Sequence, residues 1–295
     1  MGKASDTAEM VAAVRAAYHF GPEAALFDDP FAIQMLGPQY WLKCRVPFLR
    51  KHYMRDGMFK RLKSSLSVLS RARYGEDQLR LAVQRGMSQY VILGAGFDTF
   101  ALRAGDAFKN ITVFEVDTVH SQAEKRKKVR ACNRNVVPGH KFVAVDFEKD
   151  KVGAKLIESG FDTSKPGFFS WQGVLIYLEK DAIVSSLSGL ADIAMSGSII
   201  VADFMDGRLF DPDYLKTIPE TAADLARLMA HTASKGEPIV TGFVPEEFAA
   251  LSEKCGWEMT HTVNSRDFAA QFLAGEPDYR WPTEYDHLVT LERVQ

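Results

Sequence analysis

The stretch QYVILGAGFDTF, residues 89–100, joins a short apolar run to a turn with two glycines separated by one alanine. An apolar run of this length, bounded by turn residues, is typical of a buried strand. Glycines directly after such a strand let the backbone approach a ligand closely, because no side chain intervenes. The stretch therefore predicts a ligand site at the carboxyl end of a strand in an α/β fold.

Apolar runs alternate with helical stretches through the rest of the chain. Strands are predicted at 89–93, 111–116, 141–145, 167–171, 197–204, 257–263 and 287–294, and helices between them at 118–131, 179–194 and 244–256. Such alternation predicts a mostly parallel, doubly wound sheet of the Rossmann-like class, here with seven strands. The ligand crevice of such a sheet lies at the carboxyl ends of the strands.

The chain divides into two predicted parts. Residues 1–86 are expected to form a helical cap, with helices at 7–20 and 43–86, that contributes to the cofactor and substrate site. Residues 87–295 are expected to form the Rossmann-like domain. Residues 205–240, hereafter the insertion, interrupt the alternation and are expected to act as a lid. We expect the cap and the domain to build a single structural unit.

Composition restricts the class of protein. The chain has 295 residues, of which 46% are hydrophobic, and no apolar run approaches the roughly 18 residues of a membrane span. The first residues lack the apolar segment of a secretion signal. Cys44, Cys132 and Cys255 are far apart and lack metal-ligand spacing. We expect a reduced, cytoplasmic protein without a metal site or a membrane partner.

Charge is distributed unevenly. The formal net charge is −2, but the stretch from Lys43 to Arg73 has ten Lys and Arg residues and a single acid, Asp56. A nucleic-acid-binding protein would more often be basic overall, so no nucleic acid is expected as a partner. Two interpretations of the basic stretch remain open: a solvated helical face, or a cap that attracts a small anionic substrate.

The glycine turn departs from the dinucleotide fingerprint. Gly94 and Gly96 are present, but Thr99 stands where that fingerprint has a third small residue for close helix packing. A nicotinamide dehydrogenase is therefore the weakest interpretation. The bare backbone of Gly94, Ala95 and Gly96 suits a ligand with an amino acid and a ribose but no phosphate.

Polar residues follow the next two predicted strands. Asp117 and Glu115 end the second strand, where an acidic side chain can bind ribose hydroxyls. Asp146 and Phe147 end the third, where a carboxylate can accept a hydrogen bond from an adenine amino group and an aromatic ring can cover the base. Together with the glycine turn, these positions suit S-adenosylmethionine as the cofactor.

Several motifs occur in a fixed order along the chain. They are VRAAYHFGPEAALFDDPFA (14–32), RARYGEDQL (71–79), VILGAGFDTFALR (91–103), VFEVD (113–117), VDF (145–147), WQGVLIYL (171–178) and GEP (236–238). The series resembles the leucine carboxyl methyltransferase-like family, including its bacterial branch with polyketide-tailoring O-methyltransferases. The resemblance covers roughly residues 10–265 and implies a class I methyltransferase fold.

The resemblance also implies roles for individual residues. Arg73 matches the family arginine that pairs with the methionyl carboxylate of the cofactor, and Arg15 matches, less securely, a second basic contact to it. The planar guanidinium suits this role because it can grip a carboxylate bidentately. Gly94, Gly96, Asp117, Asp146 and Phe147 match cofactor-contacting positions of the family, and Glu115 is the alternative to Asp117 if the register differs by two.

One position departs from the family pattern. Gln172 stands where the family has a glutamate that contacts the cofactor ammonium, so the charge-assisted part of that contact is lost. Tyr177, in the same motif, is the candidate catalytic residue, and its alternative is a core aromatic under the sheet edge. No histidine has a partner that spacing identifies, so the sequence supplies no general base.

These features lead to one functional hypothesis and its alternatives. We expect an S-adenosylmethionine-dependent O-methyltransferase that acts on a carboxylate, or on a phenol or other hydroxyl, of an acidic or aromatic small molecule in secondary metabolism. A protein C-terminal carboxyl methyltransferase and a non-catalytic nucleoside-binding scaffold are the alternatives. The sequence does not determine the acceptor or the oligomeric state.

Overall fold

The computed structural model describes residues 6–52, 64–275 and 282–294. Its strands are β1 (Gln89–Leu93), β2 (Thr112–Asp117), β3 (Lys141–Ala144), β4 (Phe168–Trp171), β5 (Ile199–Met205), β6 (Trp257–Asn264) and β7 (Asp286–Arg293). They form one sheet in the order β3-β2-β1-β4-β5-β7-β6, in which β7 is antiparallel to both neighbours and the pairs from β3 to β5 are parallel. The predicted α/β fold with a mostly parallel seven-stranded sheet is confirmed.

The central strand β1 is buried along its whole length. Successive side chains of a strand point to opposite faces of the sheet. Val91 and Leu93 accordingly pack into the apolar cluster on one face, and Tyr90 and Ile92 into the cluster on the other. A strand covered by helices on both faces needs such a continuous apolar run.

Helices cover both faces of the sheet, and the first four of them precede its first strand in the chain. They are α1 (Asp6–Tyr18), α2 (Pro38–Arg45), α3 (Pro47–Leu49), α4 (Ser64–Gln84), α5 (Phe100–Arg103), α6 (Val119–Ala131), α7 (Val152–Glu158), α8 (Lys180–Ala191), α9 (Pro212–Thr217), α10 (Pro219–Ser234), α11 (Pro245–Lys254) and α12 (Ser265–Ala269). Short 3₁₀ turns, among them Leu175–Tyr177 and Gly207–Phe210, link several of them.

The prediction of one helix over residues 43–86 is wrong. Helix α2 ends at Arg45, and Val46 adopts the extended conformation, with φ −86° and ψ 118°. The cause is Pro47, because a proline ring disfavours helical backbone in the residue that precedes it. Residues 53–63 of the predicted helix lie outside the described residues.

Helix α4 is held against the antiparallel edge of the sheet. The Tyr74 hydroxyl lies 2.5 Å from Thr290 Oγ1 on β7 and 3.0 Å from His261 Nδ1 on β6. This anchor sets the rotation of α4 about its own axis. It thereby decides which side chains of α4 point toward the carboxyl ends of β1 and β4.

The insertion returns to the sheet beside β4. Its helices α9 and α10 pack around a small apolar cluster that includes Met205, Leu225 and Ile239. The Val240 amide then donates to Ile176 O at 2.9 Å, and Thr241 Oγ1 donates to Leu178 O at 2.6 Å. The residues between α10 and Val240 therefore lie next to the turn that follows β4.

Within the described ranges, every helix is too short or too polar to cross a bilayer.

Candidate active site

A cavity of about 640 Å³ lies at the carboxyl ends of β1, β2 and β4. Strand β1 has β2 on one side and β4 on the other, so the cavity opens where the strand order reverses, the usual ligand position in such sheets. Helices α1 and α4 form one wall, and residues 234–237 form another. The volume falls within the ~300–1,000 Å³ typical of small-molecule sites.

The glycine turn forms the floor of this cavity. Gly94, Ala95 and Gly96 all line it, and the Ala95 amide donates to Val116 O at 2.9 Å, which fixes the turn against β2. Gly94 has a φ of +67°, and a Cβ atom there would overlap the Val174 side chain. Any other residue would be strained and would collide with Val174, which also lines the cavity.

Asp117 lies at the cavity directly after β2. Its Oδ2 accepts a hydrogen bond from the Gly96 amide at 2.6 Å, and its Oδ1 accepts one from the Thr118 amide at 2.7 Å. Each carboxylate oxygen keeps a free lone pair for a further donor. The carboxylate is thus fixed at the floor and available to ligand hydroxyls.

Glu115, the alternative to Asp117, does not line the cavity. Its carboxylate is buried beneath β2, 2.6 Å from Lys125 Nζ and 3.2 Å from His140 Nε2. Alternation along the strand does not separate the two acids, because they are two residues apart. What separates them is depth, since Asp117 ends the strand and Glu115 is inside it.

The structure separates the predicted adenine pair. Phe147 lines the cavity and stacks on Trp171, with ring centroids 6.3 Å apart. Asp146 lies outside the lining, and its carboxylate accepts from Lys149 Nζ at 2.6 Å. That hydrogen bond lowers the pKa of Asp146. Asp146 therefore serves its own loop, and only Phe147 reaches the predicted site.

Arg73, the predicted contact to the cofactor carboxylate, does not line the cavity, whereas Arg71, two positions earlier on α4, does. Arg73 points away from the cavity, donates to Asp77 Oδ2 at 2.7 Å and to Leu26 O at 3.2 Å, and covers the ring of Phe272. Arg71 lines the cavity. The reason is helical geometry, because two positions along α4 rotate a side chain by about 200°.

Arg71 is held by an acid from β5. Its Nη1 lies 3.3 Å from Asp203 Oδ2, and both side chains are largely buried. Asp203 Oδ1 accepts from the Gly173 amide at 2.6 Å, directly after β4. Arg71 thus presents a preoriented guanidinium to the cavity, which is suited to a ligand carboxylate.

Arg15 reaches the cavity but is already engaged. Its Nη2 donates to Phe97 O at 2.7 Å, and its guanidinium lies 3.3 Å from Asp98 and 3.4 Å from Asp29. These contacts tie α1 to the loop after β1. Thr99, within that loop, donates to Asp29 at 2.7 Å. Arg15 therefore builds the wall of the site.

Gln172 also lines the cavity. Its Nε2 donates to the backbone oxygen of Arg71 at 2.5 Å. A glutamate could not make that hydrogen bond, because an ionised carboxylate has no donor. The glutamine at this position therefore has a structural role, because its amide links the end of β4 to the turn of α4 that carries Arg71.

Tyr177 and Glu237 meet at the β4 end of the cavity. Both line it. Burial raises the pKa of Tyr177 to about 12, and the Glu237 and Asp203 carboxylates add to the increase while Arg71 opposes it. The Tyr177 hydroxyl therefore stays protonated near neutral pH and acts as a donor rather than as a base.

The lining of the cavity is not a basic surface. It includes four carboxylates and three cations: Glu76, Asp98, Asp117 and Glu237, with Arg15, Arg71 and Lys235. Of the six basic residues between Lys43 and Arg73 that the structure describes, Arg71 alone lines it. No group of three or more potential metal ligands occurs among the described residues.

The sequence does not predict Arg71 and Glu237, which line the cavity, or Asp203, which holds Arg71. Helical spacing places Arg71 on the same face of α4 as Val68, Ala72 and Glu76, and all four residues line the cavity. The sequence does not say which face of α4 that is. Glu237 lies in the GEP motif, which by itself indicates no role for this residue.

The chain is similar to known proteins in sequence and in fold. The family model described as "Leucine carboxyl methyltransferase" matches residues 8–191. A Bacillus subtilis (strain 168) protein named "Putative S-adenosyl-L-methionine-dependent methyltransferase YktD" is 34% identical over 72% of this chain and 68% of that protein. A similarly named Frankia alni protein is 35% identical over 46% of this chain and 47% of its own length.

A solved structure of a duf574 family protein from Streptomyces avermitilis MA-4680 shares the fold. Its TM-score is 0.62 at 13% identity, over 95% of this chain and 97% of that chain. Identity this low supports the architecture alone. The sequence matches, together with the cavity geometry, carry the assignment to a family.

Proposed function

The chain belongs to the leucine carboxyl methyltransferase family, and from this premise we propose that it methylates an oxygen of a small organic acceptor. It is an S-adenosylmethionine-dependent methyltransferase. The finer proposal is a carboxylate, phenol or other hydroxyl as the methyl acceptor, in secondary metabolism. The resemblance to polyketide-tailoring enzymes supports that last part.

The observation that carries the proposal is the convergence of Gly94, Asp117 and Arg71 on one cavity. The glycine turn supplies bare backbone at the floor of the cavity, the carboxylate lies beside that floor, and the guanidinium lies at the β4 side. We propose that Asp117 binds the ribose, Phe147 covers the adenine and Arg71 pairs with the methionyl carboxylate. When bound, the cofactor supplies a methyl group on a sulfonium, which is a good leaving group.

Positioning is then the main contribution of the protein. Reactants held in alignment gain on the order of 7–11 kcal/mol over free encounter. The insertion supports a small acceptor, because residues 234–237 wall the cavity beside Tyr177. A protein tail would require that wall to open. Gln172 does not favour a non-catalytic scaffold, since its amide supports Arg71.

The proposal is tested by following a labelled methyl group. The enzyme is incubated with methyl-labelled S-adenosylmethionine and a bacterial extract, and proteins are then separated from small molecules. We expect label in a small-molecule product that is resolved from the unreacted cofactor, and much less of that product with Arg71→Ala. Label that is confined to the protein fraction would instead identify a protein methyltransferase.

A further inference from the structure

The cavity has a direction that the sheet order defines. Asp117 follows β2, Gly94 follows β1 and Gln172 follows β4, so the cavity runs across three adjacent strands. Strands in a sheet are ~4.8 Å apart, which places the β2 and β4 ends about 10 Å from each other. With the ribose at Asp117, the methyl acceptor enters at the β4 end, beside Tyr177 and the insertion.

Glu237 is the carboxylate at this end. Within the described ranges, no hydrogen bond or ion pair engages its side chain. The other three carboxylates of the lining have partners: Glu76 lies 2.5 Å from Arg103 Nη2, Asp98 contacts Arg15, and Asp117 accepts from two amides. Glu237 is therefore available to a ligand.

The backbone holds Glu237 in place from both sides. The Glu237 amide donates to Thr232 O at 3.0 Å, at the end of α10, and the Val240 amide donates to Ile176 O at 2.9 Å. Glu237 and Tyr177 line the same cavity, and the Glu237 charge raises the pKa of the Tyr177 hydroxyl. A fixed position next to a protonated hydroxyl is what a proton acceptor at this end requires.

We propose that Glu237 is the general base of the reaction and that the acceptor is a phenol-like hydroxyl rather than a carboxylate. This inference rests on the proposed function. A phenol donates a hydrogen bond to Glu237, whereas an ionised carboxylate would face a like charge. As the acceptor oxygen bonds to the methyl carbon, the hydroxyl proton of the acceptor passes to Glu237. The electron pair of the broken carbon–sulfur bond stays on sulfur.

The experiment uses two matched series of aryl probes, phenols and the corresponding benzoates. Each series is tested with wild type, with Glu237→Gln and with the control Glu220→Gln. Glu220 is an exposed acid in the first turn of α10 and does not line the cavity. Two quantities are measured: methyl transfer at pH 7, and calorimetric affinity of each probe for the complex with S-adenosylhomocysteine. Base treatment distinguishes the products, because methyl esters hydrolyse and methyl ethers do not.

We expect phenols to be methylated and bound in preference to benzoates by wild type and Glu220→Gln. In Glu237→Gln, phenol methylation should fall by about 10²-fold, the usual contribution of a general base, and the binding preference for phenol over benzoate should disappear. S-adenosylhomocysteine affinity should stay unchanged, since Glu237 serves the acceptor.

Several results would overturn the inference. They are base-labile products, equal phenol methylation by wild type and Glu237→Gln, or no turnover of either series by an enzyme that binds S-adenosylhomocysteine. A joint loss of cofactor affinity and turnover in Glu237→Gln would place the residue in the cofactor site and likewise overturn it. Absence of S-adenosylhomocysteine binding to wild type would refute the proposed function itself.

Discussion

The guanidinium of Arg71 lies directly over the backbone of Gly173. A Cβ atom at position 173 would stand 2.6 Å from Arg71 Cζ and 2.8 Å from its Nη1. Gly173 has a φ of +70°, in the region that favours glycine. Asp203 joins the two, because one of its oxygens accepts from the Gly173 amide and the other from Arg71. The absent side chain at 173 is what allows Arg71 to face the cavity.

Gly173→Ala should displace Arg71 and weaken cofactor binding. A hydrogen bond to a charged group contributes ~1.5–3 kcal/mol, so we expect about a 10- to 100-fold loss of S-adenosylhomocysteine affinity by calorimetry. Gly197→Ala is the matched control, since Gly197 has a φ of +83° and open space around the missing Cβ. It carries the backbone strain without the clash. Equal affinity in the two variants would contradict the arrangement.

Substitutions of the two acids of β2, Asp117 and Glu115, should have different effects. Asp117→Asn should weaken S-adenosylhomocysteine binding by about tenfold or more, through loss of charge-assisted hydrogen bonds to the ribose. Its unfolding free energy should fall by only ~1 kcal/mol, because the Asn oxygen can still accept from one of the Gly96 and Thr118 amides. Glu115→Gln should leave Lys125 buried without its carboxylate, which typically costs 3–5 kcal/mol. Denaturant titration and calorimetry on both variants separate the roles, and exchanged phenotypes would refute the assignment.

Asp286 predicts a pH-dependent stability. It pairs with Met205 across β5 and β7, on the same face as Asp203, and its Oδ2 is shielded from solvent. Burial raises the pKa of Asp286 from 3.8 to about 6, the Asp203 charge raises it further, and Ser67 and Arg71 oppose the shift. The unfolded chain ionises first, so stability should fall as pH rises from about 4 to about 6.

Asp286→Asn should remove that penalty. At pH 8 we expect the variant to be more stable than wild type by up to about 3 kcal/mol, given 1.36 kcal/mol per pKa unit. At pH 4 the carboxyl is protonated in the folded chain and partly protonated in the unfolded chain, so most of the gain should be lost. Urea titrations at pH 4 and pH 8 measure both values. A gain of equal size at the two pH values would show that ionisation is not its cause.

Tyr177→Phe should affect turnover more than cofactor binding. The hydroxyl lies at the acceptor end and stays protonated, because burial raises its pKa to about 12. Loss of one neutral hydrogen bond, ~1 kcal/mol, predicts about a fivefold fall in kcat/KM without a change in S-adenosylhomocysteine affinity. A pH profile that loses a limb between pH 6 and 9 in this variant would contradict the donor role.

The elements that the sequence predicted well have local causes. The strand at 89–93 follows from a continuous apolar run, and the ligand turn follows from Gly94, whose φ is one that glycine adopts readily. The distinction between Arg71 and Arg73 is not local. It depends on the rotation of α4, which Tyr74 fixes by bonding to Thr290, a residue 216 positions away.

Glu237 illustrates the same limit. Its neighbours in sequence indicate only a turn after a helix, and its place in the cavity follows from the return of the insertion to Ile176. Asp286 is similar, because its burial comes from the antiparallel pairing of β7 with β5. Tertiary packing decides where these side chains lie, and the periodicity of residues along the chain does not encode that packing.

The central claim is that the cavity binds the cofactor with Arg71 against its amino-acid carboxylate. Calorimetric titration of S-adenosylhomocysteine into wild type, Arg71→Ala and Arg73→Ala tests it most directly. We predict binding to wild type and Arg73→Ala with similar affinity, and a loss of about 10- to 100-fold in Arg71→Ala, the equivalent of ~1.5–3 kcal/mol. Undiminished affinity in Arg71→Ala, or a loss confined to Arg73→Ala, would contradict the account.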